Sequence, residues 1–202
     1  MVITGIYYAL AFGAAGVAVA RLTRPVWALP LFVLAGFFLW FFRDPEREVP
    51  TGAEAVSPAD GTVVAVKAEA DGVTRVSIFL SPLDVHVNRS PVGGRVVAFH
   101  YRPGRFLVAS REEASAENEQ NVITVETPDG SRVTFKQIAG LVARRVVFNK
   151  KVGDAVAIGE RIGLMKFGSR MDVLLGPEWT LLVNSGDKVQ AAATPLARRK
   201  KP

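Results

Sequence analysis

Met165-Lys166-Phe167-Gly168-Ser169-Arg170-Met171-Asp172-Val173-Leu174-Leu175 sets a Gly-Ser pair between two runs of strand character. Gly168 carries no Cβ, so the backbone there can enter geometry that other residues avoid. A bend at this point would aim the Ser169 hydroxyl at the carbonyl of Gly168 itself. The plain reading of the pair is a bulge or tight turn in a β-protein, because isolated glycines in strands commonly mark such places. Whether the hydroxyl does chemistry has to be decided by the rest of the chain.

A chain of 202 residues with 49% hydrophobic content can build one core and an additional segment. It has no cysteine, which excludes disulfides, thiolate metal sites and cysteine nucleophiles. With only His86 and His100 available, no metal centre is expected. The net charge of +6 favours anionic partners, either nucleic acid or an acidic membrane.

The first 42 residues choose between them. Val2 to Ala20 is a 19-residue stretch without a charge, and Val26 to Phe42 is a second of 17. Each approaches the ~20 residues that cross a bilayer core. The basic Arg21-Leu22-Thr23-Arg24-Pro25 between them suits the turn of a helical hairpin, and Trp27, Trp40, Phe41 and Phe42 sit where aromatic belts form. A cleaved signal peptide fits poorly, since there is no basic n-region and a second apolar run follows at once. Residues 1–42 are therefore expected to form a membrane-associated helical hairpin, residues 43–53 a linker broken by Pro45 and Pro50, and residues 54–202 the main domain. Arg21 and Arg24 balance Arg43 and Arg47, so counting positive charges does not orient the hairpin. Pro30 leaves open a shallow hairpin that inserts without spanning.

Beyond residue 54 the chain changes character. Short β-branched runs alternate with Gly, Pro, Asn and Asp every eight to twelve residues. Strands are expected at Gly61–Lys67, Val73–Leu80, Gly94–Tyr101, Asn121–Glu126, Arg132–Ile138, Val146–Phe148 and Arg161–Leu164, with hairpin turns at Asp71-Gly72 and Asp129-Gly130. Residues 108–120 are the one helix-compatible stretch. From Gly140 to Leu175 the alternation of strands with Val-Gly-Asp and Ile-Gly-Glu turns resembles half of a biotinyl or lipoyl carrier domain. The fold class is thus mainly β, a biotinyl/lipoyl-like β-sandwich behind an N-terminal hydrophobic helical hairpin. A carrier domain would also offer a lysine on a hairpin tip, near where Lys166 falls. A membrane-tethered, non-catalytic carrier is accordingly the competing function.

Polar residues outside ordinary surface turns form four clusters: Ser57-Pro58-Ala59-Asp60-Gly61, Leu80 through Pro91, Glu117-Asn118-Glu119-Gln120-Asn121, and Gly168-Ser169-Arg170. In the second, Asp84, His86 and Asn88 would share one face if the segment were extended. Each has an ordinary reading. Asp60 before a glycine is usually a turn residue, His86 between two valines a satisfied core histidine, and the amide cluster a solvated loop.

Taken in order, Phe41-Phe42-Arg43-Asp44-Pro45, Ser57-Pro58-Ala59-Asp60-Gly61, Leu80-Ser81-Pro82-Leu83-Asp84-Val85-His86-Val87-Asn88-Arg89, Glu117-Asn118-Glu119 and Phe167-Gly168-Ser169-Arg170 resemble the phosphatidylserine decarboxylases, most closely the short bacterial and archaeal type. The resemblance implies a proenzyme that cuts itself between Gly168 and Ser169 into a β chain of residues 1–168 and an α chain of residues 169–202. It implies that Ser169 becomes a covalent pyruvoyl cofactor, which forms a Schiff base with phosphatidylserine and accepts the electrons released with CO₂. Catalytic roles fall on Ser169, His86 and Asp60, and headgroup contacts on Arg89 and Arg170. The chain departs from the family's long type at Arg89, where a second histidine would stand; an arginine stays protonated and is no base at neutral pH. The implied partners are phosphatidylserine in an anionic membrane and the protein's own two chains as a heterodimer, with a higher homo-oligomer left open. The implied location is the cell membrane with the catalytic domain facing the cytoplasm. No nucleic-acid partner is expected, because the hairpin comes without aromatic-basic interleaving.

Overall fold

The computed structural model describes residues 2–141, 146–166 and 168–200, and Phe167, Lys201 and part of the Gly140–Leu175 rhythm lie outside the described residues. The chain divides into two compact units, residues 1–46 and 47–202.

In the first unit, α1 (Ile3–Leu22) and α2 (Leu29–Phe41) are joined by a single 3-10 turn at Pro25–Ala28. Proline stands in the first turn of α2, where its missing N–H costs nothing. Tyr8 and Phe12 of α1 meet Phe38 of α2, with ring centroids 4.9 and 5.3 Å apart. The 20 residues of α1 reach about 30 Å, enough to cross a bilayer core. Its exposed side chains include Ile3, Ile6, Tyr7, Leu10 and Val17, so the helix turns apolar groups outward as well as inward. This apolar helix is compatible with membrane association. The 13 residues of α2 reach only about 20 Å, so the second apolar run is shorter as a helix than the sequence suggested. Pro25 and the 3-10 turn consume its beginning.

The second unit is built from strands β1 (Ala55–Val56), β2 (Gly61–Ala68), β3 (Thr74–Leu80), β4 (Val87–Arg89), β5 (Gly94–Arg102), β6 (Gln120–Glu126), β7 (Arg132–Ile138), β8 (Val146–Phe148), β9 (Ala155–Val156), β10 (Arg161–Met165), β11 (Ser169–Leu175), β12 (Trp179–Leu181), β13 (Lys188–Val189) and β14 (Pro195–Arg199). One turn of helix, α3 (Ala114–Glu117), precedes β6. An eight-stranded antiparallel sheet runs β13-β2-β3-β11-β7-β6-β5-β9, and two three-stranded sheets run β4-β10-β8 and β1-β14-β12.

The alternation that suggested strands also sorts the faces of the large sheet. Val63, Val76, Ile78, Ile123, Phe135, Met171 and Val173 turn inward to a core that Ile162 and Met165 of β10 also join. All seven expected strands form, each within one residue at either end. The Asp71-Gly72 turn closes β2 onto β3 with Asp71 at φ 57°. Residues 108–120 give only the four helical residues of α3, because β6 already begins at Gln120. The segment after residue 178, for which the sequence offered no role, supplies β12, β13 and β14.

Phe135 is fully buried at the centre of this core. Phe135→Ala should lower the unfolding free energy by about 3–5 kcal/mol, whereas a change at the exposed Leu182 should stay within about 0.5 kcal/mol. Denaturant titration of the detergent-solubilised chain measures both.

Candidate active site

Ser169 opens β11, a strand with neighbours on both sides. Ser169 pairs with Leu80 of β3, and Arg170 lies between Phe79 of β3 and Ile138 of β7. Residues directly opposite one another share a face of the sheet. The inward face therefore carries Ser169, Leu80, Met171, Ile78, Gln137 and Val173, and the outward face carries Arg170, Asp172, Ser77 and Lys136. Ser169 is completely buried, and among the described residues its Oγ has no hydrogen-bond partner. A buried hydroxyl left without a partner forfeits hydrogen bonding it had in water, so its presence calls for a reason.

The reason is topological. β10 belongs to the small sheet and β11 to the large one, so the chain between Met165 and Ser169 crosses from one to the other. Gly168 makes the final step at φ 61°, a left-handed conformation that side chains disfavour. The segment from Ser81 to His86 makes the same passage on the neighbouring chain, between Leu80 opposite Ser169 and Val87 opposite Leu164. The Met165 N–H donates to the His86 carbonyl at 3.1 Å, which ties the two crossings together.

His86 is 1% exposed, and its ring is oriented from within its own loop. Nδ1 lies 2.9 Å from the Asp84 carbonyl oxygen. A carbonyl oxygen only accepts, so Nδ1 carries a hydrogen, and in the neutral ring Nε2 then carries the lone pair. Asp84 does not share a face with His86. The chain is not extended until Val87, and the Asp84 carboxylate instead accepts from the Ser81 N–H and hydroxyl, both at 2.8 Å, folding the crossing into a turn.

On the outward face, Arg170 is 1% exposed and Asp172 fully buried. The Arg170 Nε donates to the Asp172 carboxylate at 2.6 Å, Nη2 to the Ser77 hydroxyl at 2.6 Å and Nη1 to the Arg111 carbonyl at 3.1 Å. Ser115 donates to the second Asp172 oxygen, and Arg75 joins Asp172, Ser77, Glu69 and Glu112. A pair this enclosed repays its desolvation only through added hydrogen bonds, and removing one member costs about 3–5 kcal/mol. The Arg75 hydrogen bond holds the Glu112 carboxyl at about 2, well below its ordinary 4.5.

The predicted site residues separate on this frame. Gly168 and Ser169 end one crossing, and His86 ends the adjacent one, linked to it through Met165. Asp60 lies across β3, about two strand spacings or roughly 10 Å away, where its carboxylate accepts from Ala191 N–H at 2.8 Å and pairs with Arg47 at 2.9 Å. Arg89 sits at the far end of β4 from His86, donating to the Gly159 carbonyl at 3.1 Å, and is nearly buried. The donors of Arg170 are spent inside the protein, turned away from solvent. Lys166 is in the crossing between two sheets and not on a hairpin tip, so the geometry of a carrier lysine is absent. Ser77, Ser115 and Asp172 were not legible in advance, because nothing in the sequence announces which serine a buried arginine will meet.

The site thus holds a buried serine, without a hydrogen-bond partner among the described residues, directly after a left-handed glycine. A sequence model of the phosphatidylserine decarboxylase family matches residues 34–197. A phosphatidylserine decarboxylase proenzyme of Solibacter usitatus is 60% identical over 199 residues, covering 98% of this chain and 97% of the relative. Proenzymes of the same description from Syntrophus aciditrophicus and Magnetococcus marinus are 42% and 41% identical, covering 95% and 96% of this chain and 94% and 92% of the relatives. The chain belongs to the phosphatidylserine decarboxylase family. It is a decarboxylase, a carboxy-lyase of phospholipid biosynthesis, and the non-catalytic carrier alternative falls with that membership.

The depressed Glu112 carboxyl gives a pH prediction. A folded pKa near 2 against an ordinary 4.5 contributes stability that is present above pH 4.5 and lost as pH falls from there toward 2. The side chain is 43% exposed, so screening holds the contribution to about 1 kcal/mol or less. Glu112→Gln should lower Tm at neutral pH and flatten its decline below pH 4.5, as followed by thermal melts across pH.

Proposed function

We propose that the protein is made as a precursor, converts Ser169 into its own pyruvoyl group, and then decarboxylates phosphatidylserine to phosphatidylethanolamine at the membrane. The observation that carries this reading is the fully buried Ser169 Oγ, without a hydrogen-bond partner among the described residues, directly after Gly168 in left-handed geometry. The name proenzyme, shared by the relatives, supports it.

In the first step Ser169 Oγ bonds to the Gly168 carbonyl carbon and the Gly168–Ser169 C–N bond breaks. The hydroxyl proton passes to the released nitrogen, so an amide becomes an ester. Removal of the Ser169 Cα proton then expels the Gly168 carboxylate from Cβ, leaving residues 1–168 with a free carboxyl end. Water replaces the nitrogen at residue 169 and ammonia departs. The resulting ketone supplies an electron sink for the pair released with CO₂.

The remaining work falls to the chain's own groups. His86, whose Nδ1 is held by the Asp84 carbonyl, is suited in its neutral form to take and return protons at Nε2. Asp60, through Ala191 and Arg47, is suited to hold the β2 end of the domain in register. Arg170 anchors the strand that begins at the reacting residue, and the headgroup contact once expected of it passes to groups that solvent can reach. The apolar α1 favours delivery of the domain to a lipid surface, with the domain on the cytoplasmic side. The two chains after the cut form a heterodimer.

Intact-mass spectrometry under denaturing conditions tests the processing. The expected result is a fragment that starts at residue 169, lighter than the plain peptide by one ammonia and closed to Edman degradation. Ser169→Ala should give a single uncut chain without decarboxylase activity; an active uncut chain would end this reading.

His86→Ala is expected to slow the proton-transfer steps by about 10²–10⁴-fold. Its effect is read separately, in the cleavage rate of fresh precursor and in kcat of processed enzyme. If neither falls, His86 is not part of the machinery.

A further inference from the structure

The carbonyl of Gly168 rests on Gly140. A Cβ at Gly140 would stand 1.9 Å from the Gly168 oxygen, 3.0 Å from its carbonyl carbon and 3.2 Å from the Ala109 Cβ. Continuing the β7–β11 register two residues past Ile138 and Arg170 sets Gly140 opposite Gly168. Gly140 does not take a positive φ, so what it provides is space. No other glycine is needed for such an approach at this corner: Gly168 itself has nothing within 4 Å of its own Cβ position and is a glycine for its φ.

Gly140 and Ala109 lie on separate segments, and one side chain joins them. Asn118 is 1% exposed. Its Oδ1 accepts from Leu107 N–H at 2.9 Å, and its Nδ2 donates to the Leu107 carbonyl at 2.9 Å and the Ala139 carbonyl at 2.7 Å. Ala139 N–H in turn donates to the Glu119 carbonyl at 2.9 Å. The residue before Gly140 is thus held by both its N–H and its C=O, from two adjacent residues of the amide cluster. The same asparagine fixes the loop that carries Ala109.

We infer that Gly140 and Asn118 are positioning residues for the bond rearrangement at Gly168–Ser169. Gly140 and Ala109 form a seat for the Gly168 carbonyl oxygen, and Asn118 fixes that seat. The orientation of the carbonyl sets the line along which Ser169 Oγ can reach its carbon, so the seat governs the attack without touching the hydroxyl. A methyl at Gly140 must push the oxygen away, and a misplacement of about 1 Å in such a geometry costs about 10²-fold in rate. This inference rests on the proposed self-processing.

The test follows cleavage of the full-length precursor in detergent by intact mass, for the wild type, Gly140→Ala and Asn118→Asp. Gly140→Ala should cleave about 100-fold more slowly while still melting cooperatively at a somewhat lower Tm. Neutral hydroxylamine, which cuts esters and spares amides, should release no fragment from it, placing the block before the ester. Asn118→Asp keeps the shape but removes both donations, and should slow cleavage by about 10-fold or more. Its rate relative to the wild type at the same pH should recover in part as pH falls and the introduced carboxyl regains one proton to donate, which lost packing would not produce. If the wild type cuts and Gly140→Ala cuts as fast, or hydroxylamine releases the fragment, the seat is overturned. If Gly140→Ala fails to fold, Asn118→Asp decides alone, and a slow rate that pH does not restore counts against the inference. A wild type that never cuts removes the processing reading, and this inference with it.

Discussion

Arg170 and Asp172 lie two residues apart on the outward face of β11, a guanidinium and a carboxylate both shut away from water. Neither charge could stay there alone. Ser77 and Arg75 of β3, Ser115 of α3 and the Arg111 carbonyl from the loop before it complete their hydrogen bonding. The network therefore does more than neutralise two charges. It fixes the register of β11 against β3 and covers the sheet with the segment around α3. Ser169 is one residue from this anchor and faces the other way. A strand that could slip by one residue would exchange the two faces, turning the serine outward and the arginine into the core. The buried ion pair makes that exchange prohibitively costly.

The corner where Ser169 stands follows from having two sheets that share one core. Chain passing between them must leave its ladder, and the two passages run side by side, tied by the Met165 to His86 hydrogen bond. Irregular backbone is thereby concentrated in one buried place. A left-handed glycine and a buried hydroxyl without a partner among the described residues stand there because regular pairing ends there. The family match spans residues 34–197 and so includes this corner.

Much of this was legible in the sequence, and the legible part has a common cause. The strands could be read because Val, Ile and Phe alternate with polar residues wherever one face meets the core, and Phe135 and Val173 fall on that rhythm. The apolar helix could be read from an uncharged run as long as a bilayer is thick. Gly168 and Ser169 stood out because they separate two runs of strand character. What could not be read depends on partners distant in sequence. Asp60 shares a motif with catalytic implications, yet its carboxylate meets Ala191, 131 residues on. Asp84 looked like a neighbour of His86 on one face, but its own bonds to Ser81 fold the segment before it can extend. Arg170 looked like a headgroup ligand because an exposed arginine would be one; only the fold shows that it is enclosed. The brief strands β9, β12 and β13 carry too few residues to set up a period at all.

The position of β11 has a consequence for what holds the molecule together. The stretch from Ser169 to the end of the chain contributes an interior strand of the large sheet, its β13 edge, and two of the three strands in the sheet with β1. Severing the backbone before Ser169 would leave two polypeptides woven through each other, held by ladders on both sides of β11. Such a nicked molecule would not simply come apart on dilution. Once denatured, though, it would have to find its other half again in solution, so recovery would depend on concentration where the uncut chain's would not. Continuity of the chain would then serve as a temporary guide to assembly, dispensable once the weave is made.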